Sequence, residues 1–398
     1  MFVYLINIVL ISVYALVFCR GEQTKLKKSL YVGLCFYQCF TIAFMRSGIG
    51  TDYGWYYTGF REMAESGFSD MSYFDWEIGF IFLNKLLGLF THNSAVFIGV
   101  AAAISLSGPF WLIWKYSRNP FMSVFLFLNT YLFYLNLNYV RQAIAMSIMC
   151  FAYGFLKDRK LLWYLLLCVV AATFHLPVIY LIPVYFITFI KLNPKTLPIY
   201  AGGLVIYFIV SGPVLKLLLQ HFHQEYQDSQ FIKYGIAWKY AVFPILLCVA
   251  VVVLAFYLDF KMSRDLNVLM HLMLMMGFWQ IVMTKHALFE RFSYYTMTFM
   301  IIAIPEMIYA FKDKLSENSK RVLEKKYGDD EEGLRCAESE AKQKHSKIIT
   351  AISAGVIAMA FAYNMMGLVI PKKGVHGVLP YKTIYGVKMP DIDGWFKR

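Results

Sequence analysis

Residues 95–114, AVFIGVAAAISLSGPFWLIW, run for twenty positions without a charged side chain. At 1.5 Å per residue, a helix of that length covers the ~30 Å hydrocarbon core of a bilayer. The run is continuous rather than alternating, which selects a helix over a barrel strand, because a lipid-facing backbone has to satisfy its own hydrogen bonds. Residues 240–260 and 348–370 repeat the pattern, and a balance of 59% hydrophobic to 16% charged residues is too apolar for a soluble domain. The fold expected is an all-α polytopic membrane protein.

Lys and Arg residues orient it, since cytoplasmic loops carry the excess of positive charge. Arg20, Lys25, Lys27 and Lys28 follow the first apolar run, which has no basic leader and is expected to remain as a span. With that loop in the cytoplasm, alternation predicts about twelve transmembrane helices, at 2–19, 29–45, 95–114, 120–138, 141–156, 161–175, 177–190, 197–218, 239–259, 265–283, 292–311 and 348–370. The inside segments then hold 23 of the 38 Lys/Arg residues, as the rule requires. Residues 76–90 are short and carry Asn84 and Lys85 midway, so they read as an outer interfacial or re-entrant helix.

The organisation expected is one integral membrane domain over 1–398. It has a first extracytoplasmic loop at 46–94, a charged cytoplasmic loop at 312–347 and an extracytoplasmic tail at 371–398. The 312–347 loop reads as either a solvated hairpin or a partly disordered linker. The formal charge of +13 lies largely in short loops, where orientation and membrane lipid account for it; no nucleic-acid partner is expected. Seven scattered cysteines show no metal-ligand spacing and read as packing residues.

Arg46, Asp52, Arg141, His175, His286, Glu290 and Arg291 all fall near predicted span ends opposite the basic loops. That distribution predicts a single extracytoplasmic mouth. In Arg46-Ser-Gly-Ile-Gly-Thr-Asp-Tyr53, Asp52 is either a general base beside the aromatic platform of Tyr53, Trp55, Tyr56 and Tyr57, or the cap of the helix that follows. Asn138, Arg141 and Gln142 share a face at i, i+3, i+4 spacing, and Ala143, Ala145 and Ser147 after them permit close helix packing. Arg141 suits a phosphate or diphosphate, whose oxygens its planar donors grip in pairs; the alternative is snorkelling to lipid headgroups. His175, just before Leu176-Pro177, is either a proton shuttle or a packed helix-end residue. Lys285, His286, Glu290, Arg291 and Tyr295 form the densest polar group, with His286 and Glu290 one helical turn apart, and read as substrate-binding or as an internal salt-bridge network. His221 and His223, near Glu225 and Asp228, lack a third fixed ligand, so no metal is expected there. Ionisable groups are sparse at mid-span, unlike a transporter's midplane site.

At these motifs the chain resembles the EpsG-like family of bacterial exopolysaccharide polymerases, related in style to Wzy-type O-antigen polymerases. The matching residues are Gly50-Thr-Asp-Tyr53 with Tyr56 and Phe60, Glu77-x-Gly-Phe80, Asn138 with Arg141, Gln142 and Ala145, Phe174-His175 before Pro183, and Glu290-Arg-Phe-Ser-Tyr-Tyr295. The stretch around Pro380-Tyr381 also looks like the family's tail, whereas the charged 312–347 loop has no counterpart.

The resemblance implies a fold akin to multispanning GT-C-type glycosyltransferases and a reaction at the outer leaflet of the bacterial plasma membrane. An undecaprenyl-diphosphate-linked oligosaccharide would be transferred to a sugar hydroxyl of another lipid-linked repeat unit. A chain-length regulator and a flippase are the candidate protein partners. In that reading Asp52, His175 and Glu290 are catalytic, and Arg46, Tyr53, Tyr56, Asn138, Arg141, Gln142, Lys285, His286, Arg291 and Tyr295 bind substrate. Arginines take the place of a divalent metal, so no obligatory cofactor is expected. The rival expectations are a membrane acyltransferase using His175 and a glycolipid flippase.

Overall fold

In the computed structural model the chain is helical, with no strand among the described residues, which are 1–66, 68, 75–222, 234–328 and 330–385. It folds as two compact units, one comprising Met1–Phe186 together with the stretch from Tyr363, the other Ile187–Ala362.

The first unit begins with α1 (Phe2–Phe18) and α2 (Lys25–Met45), followed by the short helices α3 (Tyr53–Glu65) and α4 (Ile78–Gly88). Then come α5 (Ser94–Tyr116), α6 (Pro120–Asn129), α7 (Leu132–Asn138), α8 (Val140–Lys157) and α9 (Leu161–Ala172). A 3-10 turn at Leu176–Tyr180 leads into α10 (Leu181–Ile187). Starts are set by polar caps: Thr24 accepts from the Lys27 amide at 3.2 Å, Asn93 from Ala95 at 2.9 Å, and Asn119 from Met122 at 3.1 Å with Pro120 in the first turn.

Small residues let α5 and α8 meet. Ser147 Oγ accepts from the Gly108 amide at 2.9 Å and donates to the Ile104 carbonyl at 2.6 Å, inserting itself where α5 would close its own Gly108-to-Ile104 bond. Pro109 has already removed the next donor of that ladder.

The predicted span 120–138 is not one helix. α6 and α7 meet at 53° across Thr130 and Tyr131, whose φ of 67° is left-handed. The break is held by the last turns of a distant helix, α16, described below: Asn364 receives the Tyr134 hydroxyl at 2.9 Å and donates to Asn129 Oδ1 at 2.9 Å, and the Tyr131 hydroxyl reaches the Tyr363 carbonyl at 2.6 Å. α4, eleven residues long, is too short to cross a bilayer, in keeping with its expected re-entrant or interfacial character. Its mid-helix polar groups are buried in protein, Asn84 bonded to the Phe80 carbonyl and Lys85 to Ser66 Oγ.

The second unit holds α11 (Leu197–Phe222), α12 (Val242–Tyr257), α13 (Arg264–Val282), α14 (Glu290–Met297), α15 (Met300–Tyr327) and most of α16 (Glu331–Val369). The predicted span 292–311 is likewise broken: the helical stretch Ala287–Met297 and α15 are bent by 55°. Over 312–347, α15 runs on as a continuous helix to Tyr327 and α16 begins at Glu331, with Ser319 Oγ 2.9 Å from His345 Nε2.

Among the described residues, four helices are long and apolar enough to cross a membrane: α5, the 197–217 part of α11, α13 and α16. Six qualify if each bent pair counts as one span, and α1, α4, α9, Leu176–Ile187 and α12 are shorter apolar segments.

Candidate functional site

The first unit gathers Arg46, Asp52, Tyr53, Tyr56, Asn138, Arg141, Gln142 and His175. Its foundation is an aromatic core of Tyr53, Tyr56, Phe60, Phe80 and Phe97, on which Trp76 packs. Phe60 and Phe97 stack at 4.8 Å, and Trp76 lies edge-on to Phe80 at 5.3 Å. The start of α4 is tied to the end of α9, because the Gly79 amide donates to the Thr173 carbonyl at 2.7 Å.

That junction places Glu77, which sequence reading noted only as a motif residue. Its Oε1 accepts from the Leu176 amide at 3.1 Å, and its Oε2 accepts from Arg141 Nη1 at 2.5 Å. One carboxylate therefore joins α4, α8 and the turn that begins after His175. The guanidinium of Arg141 also lies 5.7 Å from the Trp76 ring and is reached by the Tyr56 hydroxyl. Its Nε is buried and has no partner among the described residues. His175 is buried, in extended backbone at the cap position of the 3-10 turn.

Asn138, Arg141 and Gln142 do not share a continuous helix. α7 ends at Asn138 and α8 restarts at Val140, across Tyr139 with φ −91° and ψ 66°, so the i, i+3, i+4 relation does not apply. Asn138 instead faces the first loop. Its Oδ1 accepts from the Asp52 amide at 2.9 Å and lies 3.1 Å from Thr51 Oγ1, while its buried Nδ2 has no partner among the described residues. Gly50 permits this approach: its φ is +101°, and a Cβ there would meet Asn138 Oδ1 at 2.9 Å. Asp52 occupies the cap position of α3 without a side-chain capping bond; its Oδ1 accepts from Thr51 Oγ1 at 3.0 Å and its side chain is half-exposed. Gln142 is buried in the first turns of α8.

Arg46, next after α2, is 1% exposed. Its Nη1 donates to the Ala43 carbonyl and its guanidinium sits 5.9 Å from the Tyr53 ring. Burial pushes its pKa down to about 10, with Tyr53, Tyr381 and Tyr4 pulling the other way, so it remains charged at neutral pH.

Lys285, His286, Glu290, Arg291 and Tyr295 lie in the second unit. His286 and Glu290 are not one α-helical turn apart. His286 is extended, with φ −139°, a 3-10 turn follows at Ala287–Phe289, and α14 begins only at Glu290. Glu290 accepts from the Tyr294 hydroxyl, and Tyr295 is buried. Lys285 Nζ donates to the Phe208 carbonyl at 2.6 Å and lies 3.4 Å from that of Ile209, where Pro213 in α11 leaves Ile209 without its usual donor. His223, Glu225 and Asp228 lie outside the described residues, as does the side chain of His221. Among the described residues no three His, Cys, Asp or Glu side chains gather as a metal-ligand set.

The architecture is that of an all-helical protein with membrane-spanning segments, and its first unit presents guanidinium and amide donors beside a carboxylate and an aromatic floor. The model of the EpsG family matches residues 28–322, and the chain belongs to that family. No curated protein and no solved structure matches it. Membership brings with it an exopolysaccharide-related role in a membrane.

Proposed function

We propose that this protein is a membrane glycosyltransferase of polysaccharide assembly. It moves a glycan from a lipid diphosphate to a sugar hydroxyl on a second lipid-linked repeat unit, at the outer leaflet of the bacterial plasma membrane. The observation that carries the reading is the pair of buried donors, Arg141 Nε and Asn138 Nδ2, that no described residue satisfies. Buried donors are costly to leave unmet, and anionic oxygens are what a guanidinium and an amide bind best.

Arg141, aimed by Glu77, Tyr56 and Trp76, neutralises the leaving diphosphate as the glycosidic bond breaks. Asp52, held at the loop by Asn138 and not spent on capping, accepts the proton of the attacking hydroxyl. Trp76, half-exposed above the buried Tyr53 and Tyr56, supplies stacking surface for sugar rings. His175 orients this group. With α1, α2, α8, α9, Leu176–Ile187 and α12 added to the six that qualify by length and composition, the ladder has about twelve spans with both termini outside.

The test is purified protein with lipid-linked repeat units, scored for longer glycans without nucleotide sugar or acyl donor. Longer glycans are expected from wild type. Arg141→Ala should abolish them and Arg141→Lys should reduce them more than tenfold, because a point charge loses the two-pronged grip. Wild-type chain lengths from Arg141→Ala would remove the assignment. Activity that needs an acyl thioester, or lipid movement without chain growth, would replace the reaction class.

A further inference from the structure

The last described stretch of the chain lies outside the residues matched by the family model, yet it is built into the first unit's polar loop. The contact has two parts. Residues 376–378 are anchored: the Gly50 amide donates to the Gly377 carbonyl at 3.2 Å, the Thr51 amide to His376 at 3.1 Å, and the Tyr4 hydroxyl to Val378 at 3.1 Å, with Val378 fully buried.

Residues 381–385 are held along an edge and by the Tyr381 side chain, whose ring meets that of Tyr4 edge-on at 5.8 Å. Arg46 and Thr383 form an isolated antiparallel bridge, flanked by Ser47 N–H donating to the Lys382 carbonyl at 2.9 Å and Ile384 N–H to Met45 at 3.0 Å. The Tyr381 hydroxyl adds a bond to the Ile42 carbonyl at 2.6 Å. Lys382 and Tyr385 are exposed, and Tyr381, Thr383 and Ile384 are half-exposed.

The side chain of Arg46 is 1% exposed, its guanidinium 5.9 Å from the Tyr53 ring and within electrostatic reach of Tyr381, the first residue of this edge, and of Tyr4. Its Nε and Nη2 have no partner among the described residues. A buried guanidinium with two unmet donors is expensive, because its charge has lost water without gaining partners. A dianionic ligand with paired oxygens would satisfy both donors, whereas a neutral sugar would not remove the charge penalty.

We propose that residues 381–385 are a strap that shuts a diphosphate site on Arg46, and that the anion binds when the strap's edge parts from residues 45–47. The inference rests on the glycosyltransferase reading for the source of the diphosphate, but not for the site itself. A site closed most of the time binds with an affinity reduced by its open fraction, so locking the strap and loosening it must act in opposite directions.

The probe is inorganic pyrophosphate binding to the full-length protein in detergent, alongside polymerisation of lipid-linked repeat units in vesicles. Ser47 and Lys382 are paired across the bridge, where opposed residues lie within disulfide reach. The double variant Ser47→Cys/Lys382→Cys, oxidised, should bind pyrophosphate at least tenfold more weakly than the same protein reduced. Tyr381→Phe, which removes one bond from the strap, should bind severalfold tighter and faster than wild type, a gain that a merely structural lesion does not produce. Arg46→Gln should abolish the lock-dependent binding in every background.

Equal affinity in locked and reduced protein, a loss of affinity in Tyr381→Phe, or lock-dependent pyrophosphate binding that survives Arg46→Gln would each overturn the strap. If binding follows the lock and Arg46 while no background polymerises, the glycosyltransferase reading fails and the strap stands. If Arg141→Ala stops polymerisation but pyrophosphate ignores both Arg46 and the lock, the strap fails and that reading stands.

Discussion

Arg141 and Glu77 show how much of this site rests on one carboxylate. Their side chains are 24% and 19% exposed, so solvent screens the pair only in part. Glu77→Gln keeps an acceptor for the Leu176 amide and loses the charge, and should cost about 1–2 kcal/mol. Glu77→Ala forfeits both contacts and should cost more. Thermal unfolding in detergent measures the order: a Glu77→Gln midpoint equal to wild type would show that the charge on Glu77 contributes nothing, and equal midpoints for the two variants that the bond to Leu176 contributes nothing. Asp52, Arg141 and His175 were legible in sequence because each breaks the apolar pattern beside a loop. Glu77's role was not, since its partner stands 64 positions away and nothing local in Glu77-x-Gly-Phe80 points to it.

Helices were legible here from apolar run length, and their breaks were not. α6 and α7 separate at a left-handed Tyr131 that only Tyr363 and Asn364, more than two hundred positions later, explain. No window of twenty residues contains that information. Asn138 and Arg141 illustrate the cost: a spacing rule valid within one helix was applied across a junction. The small-residue signal at Ala143, Ala145 and Ser147 succeeded because close packing needs only the absence of bulk, which composition shows directly. It yields a sharp expectation. A Cβ on Gly108 would fall 2.2 Å from the Ser147 carbonyl oxygen and 2.5 Å from its Cα, so Gly108→Ala must push α5 from α8 and lose the inserted serine, costing about 1–3 kcal/mol. Gly33→Ala in α2 meets nothing within 4 Å and should be neutral or slightly stabilising by helix propensity. Matching shifts in unfolding temperature for the two variants would refute the crossing.

Over the whole molecule, the distribution of charge along the long helices bears on orientation. α16 has 39 residues, about 58 Å of helix, which is roughly twice the hydrocarbon thickness, and its first half carries the lysines and glutamates that lipid excludes. That half, with the end of α15, must therefore stand in water, and the positive-inside rule predicts that this water is cytoplasmic. The chain carries its own reporter: Cys336 is exposed on α16, whereas the other six cysteines are half-buried or buried. A membrane-impermeant maleimide should label inverted vesicles, with the cytoplasmic face outward, and leave intact spheroplasts unlabelled, and Cys336→Ser should remove the signal. Labelling of spheroplasts at Cys336 would turn the ladder over and carry the diphosphate chemistry proposed for Arg141 to the side where no outer-leaflet substrate waits. The orientation of one thiol thus decides whether the donors around Arg141 can meet a glycan already delivered across the membrane.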